Sequence, residues 1–390
     1  MQSQFQFYKG YHDHLHPVPS VNFQLNRWIN YLGEGALVDL QAIAPKLNDF
    51  SSYRREFLAL AEKALAEGRK LHAAYYFRSA EFFMWQDDPA KKPTRQKFLQ
   101  LIMEAYQVKP DDCYAIPYQD GDTRGDLFAY RFASKQPKDT LLIFGGGDSY
   151  IEEFFPVLLA LRDRGFDVVC FEGPGQGHVL EEDKIPMTPE WHKPVKAVMD
   201  YFKLDAVTLI GISMGGCLAI RAAAFEPRVR RVIAYDVLLD MLRMRSSSKN
   251  SVINLIMKFL FAIKAAPIYN FMVREAMKDN MHLDWGVHQG MHIQGVKTPF
   301  DYVQKLAAFQ TRDISHLLGQ DVLLMAGTED FAVPLTQFYQ QIEALKNVRS
   351  LTARMFTRAE KAQSHCQVGN LELAVDFIIN WIDFTLHHQD

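Results

Sequence analysis

The feature that most constrains this chain is an alternation of short apolar segments with longer helical ones between residues 140 and 384. Apolar segments of this length predict buried strands, and the amphipathic segments between them predict helices. Parallel strands that are buried on both faces have this almost continuously apolar character. We therefore predict an α/β chain with a mostly parallel, doubly wound sheet. The predicted strands are 140–144, 167–171, 206–210, 229–235, 322–326 and 351–356, and the predicted helices are 152–162, 190–202, 215–225, 335–344 and 371–384.

The part before residue 110 has a different pattern, in which apolar side chains recur at helical spacing. Residues 51–65, 71–85 and 93–106 predict helices, and two apolar segments at 114–118 and 127–132 predict a β-hairpin. A chain of 390 residues is also longer than one compact core usually needs. We predict an N-terminal helical domain (1–110), a first part of the α/β core (111–236), a helical lid insertion (237–320) and a second part of the core (321–390).

The predicted insertion interrupts the alternation once. No strand pattern is convincing between residues 236 and 320, whereas 252–264 and 269–277 have helical patterns. The insertion follows the strand that ends at Tyr235, and it is rich in methionine and phenylalanine. Flexible, polarizable side chains of this kind suit the roof of an apolar pocket. Simple packing of these helices against the body of the protein remains the alternative.

A GxSxG segment, 211–215 (GISMG), lies between a predicted strand and a predicted helix. This is the context in which the serine of such a motif sits on a strained turn and acts as a nucleophile. Glycines on both sides let the strand and the helix approach each other, and the helix N-terminus favours developing negative charge. We predict that Ser213 is the nucleophile. The alternative is a structural serine in a glycine-rich turn.

A serine nucleophile needs a base and an acid, which follow it along the chain in this kind of fold. Asp330 comes shortly after the predicted strand 322–326 and is the predicted acid, with Glu329 as its local rival and Asp236 as a weaker one. His365 lies in the segment between the last predicted strand and the last predicted helix. We predict that His365 is the base.

An oxyanion hole requires two backbone N–H groups. The first is predicted to be that of Met214, which follows the nucleophile. The second is predicted in the glycine-rich segment after the strand 140–144, at Gly147 or Asp148, between which the sequence does not choose. A phosphate-binding loop is the competing interpretation, but neither GxxxxGK[ST] nor GxGxxG is present there.

Charge, cysteine content and histidine spacing exclude several other classes. The net charge of −3 and the absence of a polybasic cluster argue against nucleic-acid and anionic-membrane partners. Residues 1–5 lack the features of a signal peptide. The four cysteines form no CxxC pair, so we expect no zinc site and a cytoplasmic location, and we predict no cofactor. His288 and His292 lack the glutamate of HExxH. His292 is a candidate for substrate contact from the lid, although a surface or core role suits it better.

Four segments together resemble a known family. They are 116–121 (IPYQDG), 144–153 (FGGGDSYIEE), 171–177 (FEGPGQG) and the elbow at 211–215. The combination resembles the branch of the α/β-hydrolases with an N-terminal helical domain, which contains the 2,6-dihydroxypseudooxynicotine hydrolase, fungal polyketide-shortening hydrolases and the related FrsA-like esterases. The resemblance implies the α/β-hydrolase fold, the triad named above, a substrate enclosed by the lid and the helical domain, a homodimer, and a scissile bond that is either an ester or a carbon–carbon bond next to a ketone.

The predicted function is that of a serine hydrolase acting on a small, apolar carbonyl compound through an acyl-enzyme on Ser213. A peptidase-like serine hydrolase is one alternative. A hydrolase-fold binding protein without turnover is the alternative from a different class, and such proteins usually lack a member of the triad. All three predicted members are present in this chain.

Overall fold

The computed structural model describes residues 7–244 and 251–388. The predictions for residues 1–5, and the part of the lid insertion at 245–250, lie outside the described residues. The strands are β1 (Cys113–Asp120), β2 (Thr123–Phe132), β3 (Thr140–Phe144), β4 (Asp167–Glu172), β5 (Val207–Ile212), β6 (Val229–Tyr235), β7 (Asp321–Gly327) and β8 (Ser350–Phe356). The α-helices before and between these strands are α1 (Pro19–Leu32), α2 (Glu34–Ile43), α3 (Phe50–Ala66), α4 (Lys70–Phe82), α5 (Lys91–Tyr106), α6 (Phe155–Asp163), α7 (Gly177–Glu181), α8 (His192–Phe202), α9 (Gly215–Ala223), α10 (Ser251–Ala262), α11 (Ala266–Lys278), α12 (Met281–Gln294), α13 (Pro299–Leu306) and α14 (Thr336–Ala344), and α15 (Leu371–His387) follows the last strand.

The eight strands form one sheet in the order β1-β2-β4-β3-β5-β6-β7-β8. The hairpin of β1 and β2 is antiparallel, as is the pairing of β2 with β4, and all other neighbours are parallel. The predicted α/β fold with a mostly parallel sheet is therefore confirmed. Because β3, β5, β6, β7 and β8 run in the same direction, the segments that follow them meet at one edge of the sheet, where ligands bind in folds of this type.

Side chains of β5 alternate between two hydrophobic cores, as a strand that is covered on both faces requires. Ile210 and Ile212 belong to the core that also contains the apolar side chains of α1 to α5, whereas Val207 and Leu209 point into the core shared with α8 and α9. The helices before residue 110 thus pack directly on one face of the sheet. The division of the chain into domains stays a prediction.

The insertion between β6 and β7 is helical, with α10, α11, α12 and α13, and an isolated antiparallel bridge joins Asp240 near its start to Gln310 near its end. The sequence pattern indicated helices at the positions of α10 and α11 but not at α12 and α13. Helix α12 contains Gly286 and Gly290, which are poor helix formers. A Cβ at Gly290 would lie 2.2 Å from the ring of Tyr302 on α13, so the glycine allows these two helices to pack closely.

Helix α10 is the most apolar helix of the insertion, yet Leu255 and Phe259 on it are 68% and 60% exposed. It has twelve residues, whereas a helix needs about twenty to cross a bilayer. Within residues 7–244 and 251–388, the structure contains no helix with the length and apolar character of a transmembrane span.

Candidate active site

The turn between β5 and α9 gives Ser213 a backbone φ of +60°, in the left-handed region that residues other than glycine rarely adopt. A Cβ on Gly211 would lie 1.9 Å from the carbonyl oxygen of Gly215. A Cβ on Gly216 would lie 1.8 Å from the carbonyl oxygen of Asp236. Only glycine allows such close approach of backbones. The sharp turn therefore follows from the local sequence, and it presents Ser213 at the amino end of α9.

The side chains of Ser213, His365 and Asp330 form one chain of hydrogen bonds, although they come from three distant segments. Ser213 Oγ lies 2.7 Å from His365 Nε2, and His365 Nδ1 lies 2.6 Å from Asp330 Oδ2. With the imidazole protonated on Nδ1, that N–H donates to Asp330 and Nε2 accepts from the Ser213 hydroxyl. In this tautomer, Nε2 is free to take the proton of the serine. The three residues predicted from the sequence as the triad are thus brought together.

Asp330 is buried in the segment after β7, where its Oδ1 accepts hydrogen bonds from the backbone N–H groups of Ala332 and Val333 at 2.7 and 3.0 Å. Burial alone would raise the pKa of Asp330, but the charge and hydrogen bond of His365 and the two N–H donors lower it below its ordinary value. Burial would likewise lower the pKa of His365, and the carboxylate of Asp330 raises it well above its ordinary value. Asp330 is therefore placed to stabilise an imidazolium.

The two rival carboxylates differ in their distance from the histidine. Glu329 is bound by Arg358 at the surface, with Oε1 2.9 Å from Nε, and does not contact His365. Asp236 is buried with its Oδ2 3.4 Å from His365 Nδ1. Burial and the neighbouring carboxylate of Asp330 raise the pKa of Asp236 to about 7. Of the three acids, Asp330 makes the short hydrogen bond.

Asp236, His365 and Cys366 present one potential metal-ligand atom each within 4.8 Å of one another. These groups already have partners. His365 Nδ1 is hydrogen-bonded to Asp330, and the Asp236 carboxylate accepts from the Cys366 N–H at 2.6 Å and from Gln367 Nε2 at 2.9 Å. Burial also raises the pKa of the Cys366 thiol, which disfavours the thiolate that a metal requires. The cluster is better suited to holding His365 in place.

Ser213 opens into a cavity of about 1200 Å³, measured with its open mouth. Most of its lining is apolar and comes from helices as well as from the sheet edge. Helix α1 contributes side chains at spacings of three and four residues, so one of its faces lines the cavity. The lining includes Ser20, Phe23, Gln24, Arg27 and Tyr31 of α1, Phe82 of α4, His282 and Trp285 of α12, and Met214, Leu238, Met241, Met244 and Phe331 from the segments around the sheet edge.

His292 is not among the residues that line this cavity, and its role as a substrate contact stays a prediction. Its Nε2 lies 3.2 Å from Glu181 Oε1, so it makes the structural contact that was its alternative. The histidine of the same helix that does line the cavity is His282. Burial lowers the pKa of His282, and its Nδ1 has no hydrogen-bond partner within the ranges that the structure describes. His282 is thus a cavity-lining side chain whose Nδ1 is buried without a partner among the described residues.

The segment after β3 packs directly on the serine turn. A Cβ on Gly146 would lie 3.0 Å from Ser213 Cβ and 3.1 Å from the Met214 nitrogen. Met214 and Asp148 line the cavity, whereas Gly147 lines a smaller, more polar cavity that Asp148 also borders. No hydrogen bond to another described residue occupies the backbone N–H of Met214, Gly147 or Asp148. These three N–H groups therefore stay the candidates for the oxyanion hole.

The amino-acid sequence matches the family model for the alpha/beta hydrolase fold over residues 139–357. It is similar to hydrolase LUC6 of a Fusarium species, with 29% identity over 360 residues that cover 84% of each chain. Hydrolase acrC of Aspergillus aculeatus is 30% identical over 288 residues, or 66% of each chain. The 20-hydroxy-prefusarin hydrolase FUS2 of Gibberella moniliformis is 28% identical over 281 residues, or 63% of this chain and 64% of FUS2. The matches thus span just under two thirds of the lengths of acrC and FUS2.

Two solved structures resemble this one in fold. The 2,6-dihydroxy-pseudo-oxynicotine hydrolase aligns with a TM-score of 0.54 and 20% identity, over 88% of this chain and 84% of the other. The wild-type AbyA5 structure aligns with a TM-score of 0.63 and 17% identity, over 89% of both chains. The resemblance predicted from the four sequence segments is thereby confirmed. The chain therefore belongs to the alpha/beta hydrolase fold family.

Proposed function

We propose that the protein is a serine hydrolase that cleaves a small, largely apolar carbonyl compound through an acyl-enzyme on Ser213. The observation that carries the proposal is the hydrogen-bonded chain from Ser213 through His365 to Asp330, which opens into an apolar cavity. A cavity with an apolar lining and a few polar groups is typical of a small-molecule site. The name of FUS2, a 20-hydroxy-prefusarin hydrolase, also denotes a small-molecule substrate for that relative.

In the proposed reaction, Ser213 Oγ attacks the carbonyl carbon while His365 Nε2 takes its proton. The carbonyl π-electrons move to oxygen, and the N–H of Met214, with that of Gly147 or Asp148, stabilises the resulting oxyanion. Collapse of the intermediate breaks the bond to the leaving group, which takes the proton from His365. Water then attacks the acyl-enzyme by the same route and releases the acid and the free serine.

Two leaving groups are compatible with this machinery. An ester releases an alcohol, whereas a 1,3-diketone releases the carbon next to its second ketone as an enolate that His365 protonates. In both reactions the carboxyl group of the product comes from the attacked carbonyl and water. The homodimer and the cytoplasmic location predicted above stay predictions beside this function.

The test compares wild type with Ser213→Ala on p-nitrophenyl butyrate and on a simple aryl 1,3-diketone. We expect wild type to gain the mass of the acyl group and to turn over, and Ser213→Ala to lose both, with a decrease in rate of about 10⁴-fold or more. Ser20→Ala, at a serine that also lines the cavity, is the matched control and should retain acylation. Absence of acylation in wild type by either substrate or by a fluorophosphonate would contradict the proposal.

A further inference from the structure

The carbonyl groups of the segment after β3 are held by side chains from outside it. Gln176 Nε2 donates to the Gly146 carbonyl oxygen at 3.0 Å, and Gln289 Nε2 of α12 donates to that of Gly147 at 3.3 Å. A trans peptide is planar, so its N–H points away from its C=O. Holding these carbonyls therefore directs the N–H groups of Gly147 and Asp148, the two candidates for the oxyanion hole.

The carbonyl oxygen of Asp148 is held by a buried arginine of the N-terminal helices. Arg78 on α4 donates from Nη2 to this oxygen at 2.5 Å, and its Nε lies 2.6 Å from Glu153 Oε1. Its Nη1 donates to Glu81 Oε2 at 2.5 Å. Only 2% of Arg78 is exposed, and Glu81 and Glu153 are fully buried. The planar guanidinium thus has three acceptors in three fixed directions.

Glu153 connects this arginine back to the segment that it holds. Its Oε1 accepts from the backbone N–H of Tyr150 at 2.9 Å as well as from Arg78, while its Oε2 is bound by Arg27 of α1. Replacing a buried ion pair by apolar residues of similar volume is often neutral or stabilising. A contribution to stability therefore does not account for the presence of these buried charges. Their contacts with the backbone of residues 148–150 give them another role.

We propose that Arg78, oriented by Glu153, is a positioning residue that fixes the oxyanion-binding segment for the acylation step. The inference rests on the serine-hydrolase function proposed above. Stabilising an oxyanion requires N–H donors within about 2.7–3.1 Å of the place where the charge develops. A segment that drifts when Arg78 is lost would still bind substrate in the apolar cavity. It would stabilise the transition state less well, so the defect would fall on the rate constant rather than on substrate binding.

The decisive variant is Arg78→Lys. Lysine keeps the positive charge that Glu81 and Glu153 require, but a single ammonium group cannot reproduce the planar fork toward three acceptors. Arg95→Lys is the matched control. Arg95 is also buried and, like Arg78, lies over the ring of Tyr150, but it donates to Glu182 at 2.9 Å rather than to a carbonyl of the segment.

The experiment measures pre-steady-state acylation of the full chain by p-nitrophenyl butyrate over a range of substrate concentration and pH. For Arg78→Lys we expect the saturating acylation rate constant to fall by about 10–100-fold, with the half-saturating concentration within about twofold of wild type. Arg95→Lys should lose less than about threefold. The pH midpoint of acylation should be the same in all three proteins, because Arg78 does not contact His365 or Asp330.

Glu153→Gln serves if Arg78→Lys does not fold, since glutamine keeps one acceptor for Tyr150 or Arg78 at nearly the same volume. The same selective loss in the rate constant is expected, at a smaller magnitude. Acylation of the folded variants at the wild-type rate would overturn the inference, as would a loss confined to substrate binding or a shifted pH midpoint. A wild type that no ester or fluorophosphonate acylates would instead refute the serine-hydrolase function, and the inference would fall with it.

Discussion

The cavity beside Ser213 has two walls of different origin. One wall consists of the segments that follow parallel strands and carries Ser213, Asp330 and His365. The other consists of helices, with α1 and α4 from the N-terminal region and α12 from the insertion. Parallel strands fix where the first set of segments lies, whereas the helical wall depends on packing between distant parts of the chain. Under the proposed function, the reacting groups lie on a rigid sheet edge and the helices contact the substrate.

The two walls meet at defined contacts. Phe23 of α1 has its ring centroid 6.0 Å from that of His365 and 4.8 Å from that of Phe331. Within the helical wall, Trp285 of α12 stacks on Phe82 of α4, with their ring centroids 4.8 Å apart. Helices α1, α4 and α12 thus enclose the cavity together, although they come from distant parts of the chain. We therefore expect changes in the sheet-edge wall to lower rate constants and changes in the helical wall to alter substrate binding, with Arg78 as the exception proposed above.

The largest loss of activity that would distinguish the two walls is expected at Asp330. Asp330→Asn removes the acceptor of His365 Nδ1 and should lower kcat/KM for p-nitrophenyl butyrate by about 10⁴-fold. Asp236→Asn, at the second buried carboxylate, is the matched control and should lose about tenfold or less, because its oxygen lies 3.4 Å from Nδ1 rather than 2.6 Å.

The pH profile gives this pair of variants a second readout. The carboxylate of Asp330 raises the pKa of His365, and the imidazole acts as a base only when it is neutral. Acylation of Asp330→Asn should therefore reach half of its maximum at a lower pH than acylation of wild type. Equal losses in Asp330→Asn and Asp236→Asn would break the assignment and indicate that the two carboxylates share the role.

A smaller effect is expected where the segment after β3 packs against the serine turn. The methyl group of Gly146→Ala would lie 3.0 Å from Ser213 Cβ and 3.1 Å from the Met214 nitrogen, so the segment must shift by a few tenths of an ångström. We expect the acylation rate constant to fall by about 10–100-fold. In the helical wall, Gly286→Ala has open space around its added methyl group and serves as the control. An unchanged rate in Gly146→Ala would show that the close approach is not needed for reaction.

The smallest effect is expected in the helical wall. His282→Phe keeps an aromatic ring but removes both ring nitrogens of this cavity-lining side chain, and should change KM by about 3–10-fold with kcat within twofold. His288→Phe lies on the same helix outside the cavity lining and should leave both constants unchanged. Steady-state kinetics on a substrate with a second polar group would measure the difference. A fall in kcat alone would contradict the separation of roles between the walls.

The sheet-edge wall could be predicted from the sequence because its determinants are local. Close approach at Gly211 and Gly216 requires glycine whatever the rest of the chain does. The strands alternate with helices, so the chain order of Ser213, Asp330 and His365 predicts which segments meet at one edge. Asp330 could not be separated from Asp236 by order alone, since both follow strands that end at this edge. The choice between them needs the two distances.

The helical wall could not be predicted from the sequence, because its contacts are between segments that are distant along the chain. Helix α12 has weak apolar periodicity and two glycines, so no pattern indicated which of its histidines faces the cavity. His282 and His292 are ten residues apart and point in different directions from the helix axis. No sequence pattern indicated the role proposed for Arg78, because a buried arginine in a helix is recognisable only when its hydrogen-bond acceptors are known. The part nearest the reacting atoms was thus the most predictable.

The buried charges on Arg27, Arg78 and Glu153 restrict how this molecule can be recombined with its relatives. Glu153 belongs to the α/β core, whereas its two arginine partners belong to the helices that precede it. A chimera that joins the helices of one protein to the core of another would leave a buried carboxylate or guanidinium without its partner. A chimera should therefore fold only when Glu153 and its two arginine partners come from the same parent protein. The helices and the core would then have to be exchanged together.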